Sequence, residues 1–279
     1  MSYKVISTLV TADSANTTAA EAAISLADRT GAHLDFFALG LERTEANFYY
    51  AGAEAVVMAE NAKHAKEDRD AAEAWVANRM RGEIIPFTCF PAIVPNSALQ
   101  RFLALRLRFT DLVVLPQPSG GATSRQDSII LEACLFEAER PALIIPDSVA
   151  GPKPGGRIVL GWNEGAEAMS ALRAALPFLQ QARQVDICII DPPKHGENRS
   201  DPGGLVAEYL VRHGVKAQVD VLAKTESNIG AILIRKAQEI GAEMIVTGAY
   251  GHSRLREAVF GGTSRELIEN CPLPLFMAR

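Results

Sequence analysis

The chain is written twice. A Gly/Pro cluster, Gly151-Pro152-Lys153-Pro154-Gly155-Gly156, lies just past the middle of 279 residues and can continue neither a helix nor a strand. On either side of it the same order of segments unfolds, and such self-similarity decides the architecture before any single residue does. Each half opens with a β-branched strand ending at a short polar side chain: Val5 to Val10, ending at Asp13, and Arg157 to Leu160, ending at Asn163. An alanine-rich amphipathic helix follows, Thr17 to Thr30 in the first half and Ala166 to Gln181 in the second. Thr18 and Glu21 have the spacing of a capping box for the first of these helices. Second strands are predicted at His33 to Leu39 and Val185 to Ile190, and third strands at Glu83 to Cys89 and Lys216 to Leu222. Fourth strands are predicted at Asp111 to Leu115 and Glu243 to Thr247. Each half closes with a helix and a proline-introduced strand, Pro141 to Ile145 and Pro274 to Ala278.

The offset between the halves is about 150 residues at the first strand and about 132 at the fourth. The first half therefore carries an insertion between its second and third strands, in the region 42–81. This stretch is charged and alanine-rich and reads as one or two long surface helices. Strands alternating with helices predict an α/β fold: two tandem parallel sheets, each with helices on both faces. The expected domains are 1–148 and 156–279. In such sheets a ligand binds at the carboxyl ends of the strands, where the strand order reverses.

Composition narrows the classes. With 48 % hydrophobic and 22 % charged residues the chain is globular, and either half is long enough to bury a core. A net charge of −5 without a Lys/Arg-rich run argues against a nucleic-acid surface. Cys89, Cys134, Cys188 and Cys271 lie far apart, without metal or redox spacing, and fit a reducing compartment. The start of the chain lacks the features of a signal peptide, and no apolar run reaches the ~20 residues of a membrane span, so a cytoplasmic protein is expected.

After its fourth strand the second half reads Thr247-Gly248-Ala249-Tyr250-Gly251, and nine residues later Gly261-Gly262-Thr263-Ser264-Arg265-Glu266-Leu267. Glycines let backbone approach a ligand closely, and successive N–H groups can form an anion-binding nest. Thr263 and Glu266 have capping-box spacing, which would set a helix N-terminus against the loop. A phosphate chain is the natural occupant.

The spacing G-x-x-G, nine residues, then G followed by a small or hydroxyl residue resembles the nucleotide signature of the ATP-binding branch of the universal stress protein family. The strand and helix order of both halves is similar to that family, in which fused pairs are common. The resemblance implies five-stranded sheets of order 3-2-1-4-5, with the switch point between strands one and four. It implies that Gly248 and Gly251, preceded by Thr247, wrap ribose and phosphates, and that Gly261, Gly262, Thr263 and Ser264 hold the phosphate chain. By the same resemblance Gly161, Trp162 and Asn163 flank the adenosine, and Ile189 sits near the base; His252, Arg254 and Arg256, from their place inside the loop, are within reach of phosphate oxygens. ATP, with or without Mg²⁺, is the implied ligand. Two positions depart from the pattern: Asn163 stands where the family has Asp, and Gly262 where it has Ser or Thr.

Each of these residues also has a plain structural reading. Asn163 is a good helix N-cap, Trp162 packs well between sheet and helix, and His252, Arg254 and Arg256 fit a solvated loop face. The first half keeps the acid, Asp13, but its fourth strand runs into Pro116-Gln117-Pro118 and no glycine follows between Gly121 and Gly151. Proline removes a donor where a phosphate loop needs one, so this half reads as structural or as adapted to another ligand. There is no G-x-x-x-x-G-K-[ST] loop and no positioned lysine or nucleophile–histidine pair, so catalytic residues are not expected. A nucleotide-binding module is the leading reading. A protein-interaction role without nucleotide, and slow ATP hydrolysis, are the alternatives. The closing strands are expected to pair within the chain as a pseudo-dimer, and the region around Phe48 to Val76 is a candidate surface for a homodimer.

Overall fold

In the computed structural model β1 (Val5–Val10) is a buried parallel strand because Ile6, Leu9 and Val10 have no exposed route on either face. The structure describes residues 2–12, 17–42, 54–118, 124–192, 201–249 and 262–279. These form two compact units, one of residues 2–116 and 121–140, the other of 117–120 and 141–279.

The first unit alternates β1, α1 (Thr17–Thr30), β2 (His33–Glu42), α2 (Glu54–Arg79), β3 (Phe87–Pro95), α3 (Leu99–Leu107), β4 (Leu112–Pro116) and α4 (Ser124–Glu132). A π-helical turn, Ala133–Glu137, continues α4. Its strands are parallel in the order β3-β2-β1-β4. Leu34, Phe36, Leu39, Leu99, Leu103 and Leu107 fill its core.

Among the described residues, the inserted segment holds the long helix α2. Its buried positions Ala65, Ala72 and Val76 form a narrow stripe of small side chains, which lets the helix lie against the sheet. At Gly40 on β2 an added side chain would run into the carbonyl of Ala65. Arg79, at the end of α2, spans to α1: its Nε and Nη2 donate to Glu21 Oε1 and Oε2 at 2.6 and 2.8 Å. Glu21 is thus a partner of Arg79, where the sequence suggested a capping-box partner of Thr18. The third strand also differs from expectation, running Phe87–Pro95 in place of Glu83 to Cys89. Among the described residues it stands at the edge of the sheet, where Pro91 and Pro95 are tolerated because one side of the strand has no strand neighbour to bond.

The second unit contains β5 (Ala142–Ile145), β6 (Arg157–Gly161), α5 (Ala166–Leu179), β7 (Gln184–Ile190) and α6 (Gly204–Arg212). It continues with β8 (Ala217–Leu222), α7 (Ile229–Glu239), β9 (Ala242–Gly248), α8 (Gly262–Asn270) and β10 (Leu275–Ala278). Five strands are parallel in the order β8-β7-β6-β9-β10, which is 3-2-1-4-5 counted within this half. The two closing strands pair antiparallel, Leu275 opposite Ile144 and Met277 opposite Ala142. The side chain of Gln117 also belongs here, donating to the carbonyls of Ile268 and Cys271 at 3.0 Å and so capping the carboxyl end of α8.

Helices cover both faces of this sheet. A Cβ at Gly161 would touch Leu233 of α7, whereas one at Gly248 would strike the start of α5. A polar stripe runs under α7. Asp186, with no exposed surface, accepts from Arg157 Nε and Nη2 at 3.1 and 2.6 Å and from Gln218 Nε2 at 2.7 Å. Lys236 reaches Asp220 at 2.8 Å. Among the described residues no helix is long and apolar enough to cross a membrane.

Candidate functional site at the carboxyl ends of β6 and β9

The order of the second sheet reverses between β6, which opens the half, and β9, its neighbour on the other side from β7. Connections leave in opposite directions there, and in sheets of this kind the carboxyl ends of the two strands at that point are where ligands bind. Gly161 ends β6 and stands beside Thr247: a Cβ at Gly161 would be 3.4 Å from the Thr247 hydroxyl and 3.1 Å from Leu233 Cδ1. Thr247 is nearly buried, and its hydroxyl donates to the Gly248 carbonyl at 3.3 Å. Trp162 continues from β6, its N–H held by the Cys188 carbonyl at 3.0 Å, and its side chain is half-buried.

Gly248 closes β9 against the first turn of α5. A Cβ there would lie 2.6 Å from the Ala168 nitrogen and 2.7 Å from both the carbonyl carbon and Cγ of Glu167. The backbone of β9 therefore approaches the α5 N-terminus as only glycine permits.

Asn163 does not cap α5; the N-cap residue is Gly165. Asn163 instead forms an Asx turn two residues earlier, its Oδ1 accepting from the Gly165 N–H at 3.0 Å. Its Nδ2 donates to Glu167 Oε1 at 3.3 Å. Both polar ends of the Asn163 side chain are thus engaged inside the β6–α5 turn.

Ile189, one residue before the end of β7, is 7 % exposed. Its methyl end presses on Gly203, which enters α6 with φ of 89° and leaves no space for a side chain. The side chain of Ile189 is committed to packing, and only its backbone borders the end of the sheet.

The last helix begins at Gly262, so Thr263 lies inside its first turn and is not its cap. Glu266 does not close a capping box either: its Oε2 accepts from Asn228 Nδ2 at 2.7 Å. Asn228 in turn caps α7, its Oδ1 accepting from the Gly230 N–H at 3.0 Å. Gly230 lets the two helix starts touch, since a Cβ there would be 2.9 Å from the Thr263 carbonyl oxygen. Ser264 is buried, while Gly262 is exposed with nothing within 4 Å of a Cβ position. Helix α8 thus turns the positive end of its dipole toward Gly262, and the adjoining α7 N-terminus is capped by Asn228.

The sites named from the sequence are therefore partly assembled. Gly161, Thr247 and Gly248 meet at the switch point; Asn163 and Trp162 border it; Ser264 and Ile189 face inward. Gly251, His252 and Gly261, with Arg254 and Arg256, lie outside the described residues, as does Asp13 of the first half. Sequence inspection passed over Glu167, although an acid four residues after Asn163 in the first turn of a helix is a legible signal. Among the described residues no group of three or more His, Cys, Asp or Glu side chains is placed to hold a metal.

An open parallel α/β sheet of order 3-2-1-4-5, with glycines at its switch point, defines the fold class. Residues 156–279, a little under half of the chain, match the sequence model of the universal stress protein family. A universal stress protein from Synechocystis sp. is 25 % identical over 100 residues, which span about a third of either chain (33 % and 34 %). The fold is similar to the crystal structure of a universal stress protein from Archaeoglobus fulgidus, with a TM-score of 0.70 at 14 % identity over 99 % of this chain and 98 % of that one. A functionally unknown protein from Pseudomonas aeruginosa has a TM-score of 0.63 at 17 % identity, over 99 % and 92 %.

Proposed function

We propose that the second unit binds a nucleotide, with ATP or its Mg²⁺ complex as the ligand, and that the bound state signals or stabilises without efficient turnover. One observation carries this reading: Gly248 ends β9 without a side chain, directly against the α5 N-terminus and beside Gly161, at the point where the strand order reverses. In this reading Gly161, Trp162 and Asn163 line the nucleoside end, and the backbone at Gly262 and Thr263 receives phosphate oxygens from the α8 N-terminus. Gly251, His252 and Gly261 would complete the loop. Ser264 supports α8 from beneath, and Ile189 supports the backbone that borders the base. The protein acts in the cytoplasm, with its two halves as a pseudo-dimer and a homodimer as its assembly.

Calorimetry with ATP and Mg²⁺, together with analysis of nucleotide released on denaturation, tests this. Micromolar to submillimolar binding is expected, and no binding at millimolar ATP overturns it. A second reading, a protein-interaction module that binds no nucleotide, is favoured by Asn163, whose polar atoms are both engaged within its own turn. A Gly248→Val chain that folds and keeps full cellular function would select that reading.

A further inference from the structure

The carboxylate of Glu167 occupies a place that two glycines leave open. Its Cγ passes 2.7 Å from where a Cβ of Gly248 would stand, and its carboxyl group lies where a Cβ of Gly165 would be. A side chain at either position would displace it. Asn163 steers one oxygen, donating from Nδ2 to Oε1 at 3.3 Å. Among the described residues the other oxygen, Oε2, has no donor, and Glu167 is half-buried against Gly248 at the carboxyl end of β9. A steered carboxylate with a free acceptor oxygen, beside backbone that cannot carry a side chain, is built to receive hydroxyl donors.

We propose that Glu167 is the residue that recognises the ribose diol of the nucleotide, with Asn163 as its positioning residue. This rests on the reading of the site as nucleotide-binding and deepens it. An aspartate at 163 would set two carboxylates side by side; the amide instead donates to Glu167, so the acid that accepts from ribose lies one helical turn further along. A carboxylate accepting from vicinal hydroxyls is a sound arrangement, since charge-assisted hydrogen bonds are the stronger kind. The charge also orients the ligand. Glu167 repels phosphate from the Gly248 end, while the positive end of the α8 dipole attracts it at the Gly262 end. The site therefore takes a ribonucleoside 5′-phosphate in one direction and discriminates against a deoxyribose.

The test compares ATP with 2′,3′-dideoxy-ATP on the full chain by calorimetry. For the unaltered protein the dideoxy compound is expected to bind about tenfold weaker or worse. In Glu167→Ala the two ligands should bind within about twofold of one another, and Glu167→Gln should fall between. The preference of each chain for ATP over AMP should not change, because that reports on the α8 end. If the unaltered protein binds ATP but makes no distinction, or if Glu167→Ala keeps the distinction, this assignment is overturned and nucleotide binding stands. If the unaltered protein binds no nucleotide, both fall. Should Glu167→Ala fail to fold, the dideoxy comparison on the unaltered chain and on Glu167→Gln decides.

Discussion

A Cβ placed on Gly248 would stand 2.6 Å from the backbone nitrogen of Ala168. The neighbour is helix backbone, which cannot swing aside as a flexible side chain would. Gly248→Ala is expected to cost about 2 kcal/mol of stability through overpacking. ATP binding should weaken at least as far, because β9 must move away from α5. Denaturant unfolding measures the first effect and calorimetry the second; a variant of unchanged midpoint would contradict the contact.

Gly262 behaves in the opposite way. It is exposed and has nothing within 4 Å of its Cβ position, so Gly262→Ser should leave stability within about 0.5 kcal/mol. The added hydroxyl stands at the start of α8, where a phosphate oxygen would accept from it. ATP affinity is expected to rise about threefold to tenfold, and equal or weaker binding would argue that no phosphate lies at this helix end.

Arg157 and Asp186 form the most heavily buried ion pair described here, with Asp186 wholly inaccessible and Arg157 one-quarter exposed. Arg157→Met leaves a buried carboxylate with Gln218 as its remaining partner and should cost about 3 kcal/mol. Asp186→Asn removes the charge but keeps an acceptor, so about 1–2 kcal/mol is expected. Urea unfolding of the two variants should preserve that ranking. Nucleotide affinity should not follow it, since the pair lies at the opposite end of β6 from Gly161.

The cysteines should be inert. Burial pushes the thiol of Cys188 up to about 12 and those of Cys271 and Cys89 up to about 11; burial raises Cys134 as well. A raised thiol value means less thiolate at any working pH. Even at pH 9 the folded protein should therefore react with a thiol reagent far more slowly than a free cysteine, because its thiols are still almost wholly protonated there. In denaturant all four should react at the ordinary rate. A fast native phase at pH 8 would show that one of these sites opens.

Much of the fold was legible because the same order of elements occurs twice. The strand Val5–Val10 and the helix Thr17–Thr30 have the bounds that their apolar patterns suggest. The third strand runs past its expected end at Cys89 through Pro91 and Pro95, residues that an edge position tolerates and that sequence alone does not favour in a strand. Capping boxes failed for a different reason. Local spacing brings Thr263 and Glu266, or Thr18 and Glu21, within reach, but Asn228 and Arg79 arrive from elsewhere in the fold and take the carboxylates. The candidate site was read through its glycines, whose spacing is visible. Glu167 was not read, because its importance depends on which backbone lies beneath it. Asn163 had been assigned a cap by residue type, and the shape of the β6–α5 turn decides otherwise.

The pairing of β5 with β10 changes where the chain can be cut. The Gly/Pro stretch 151–156 looks like the natural place to divide it, yet β5, just before that stretch, belongs to the compact unit that follows. A fragment beginning at 156 would leave the outer backbone groups of β10 bare and ready to recruit a strand from another molecule. A fragment beginning at 141 would carry its own cover. Whatever brought the two halves together as one chain, the boundary between them in the sequence is no longer the boundary between them in hydrogen bonds.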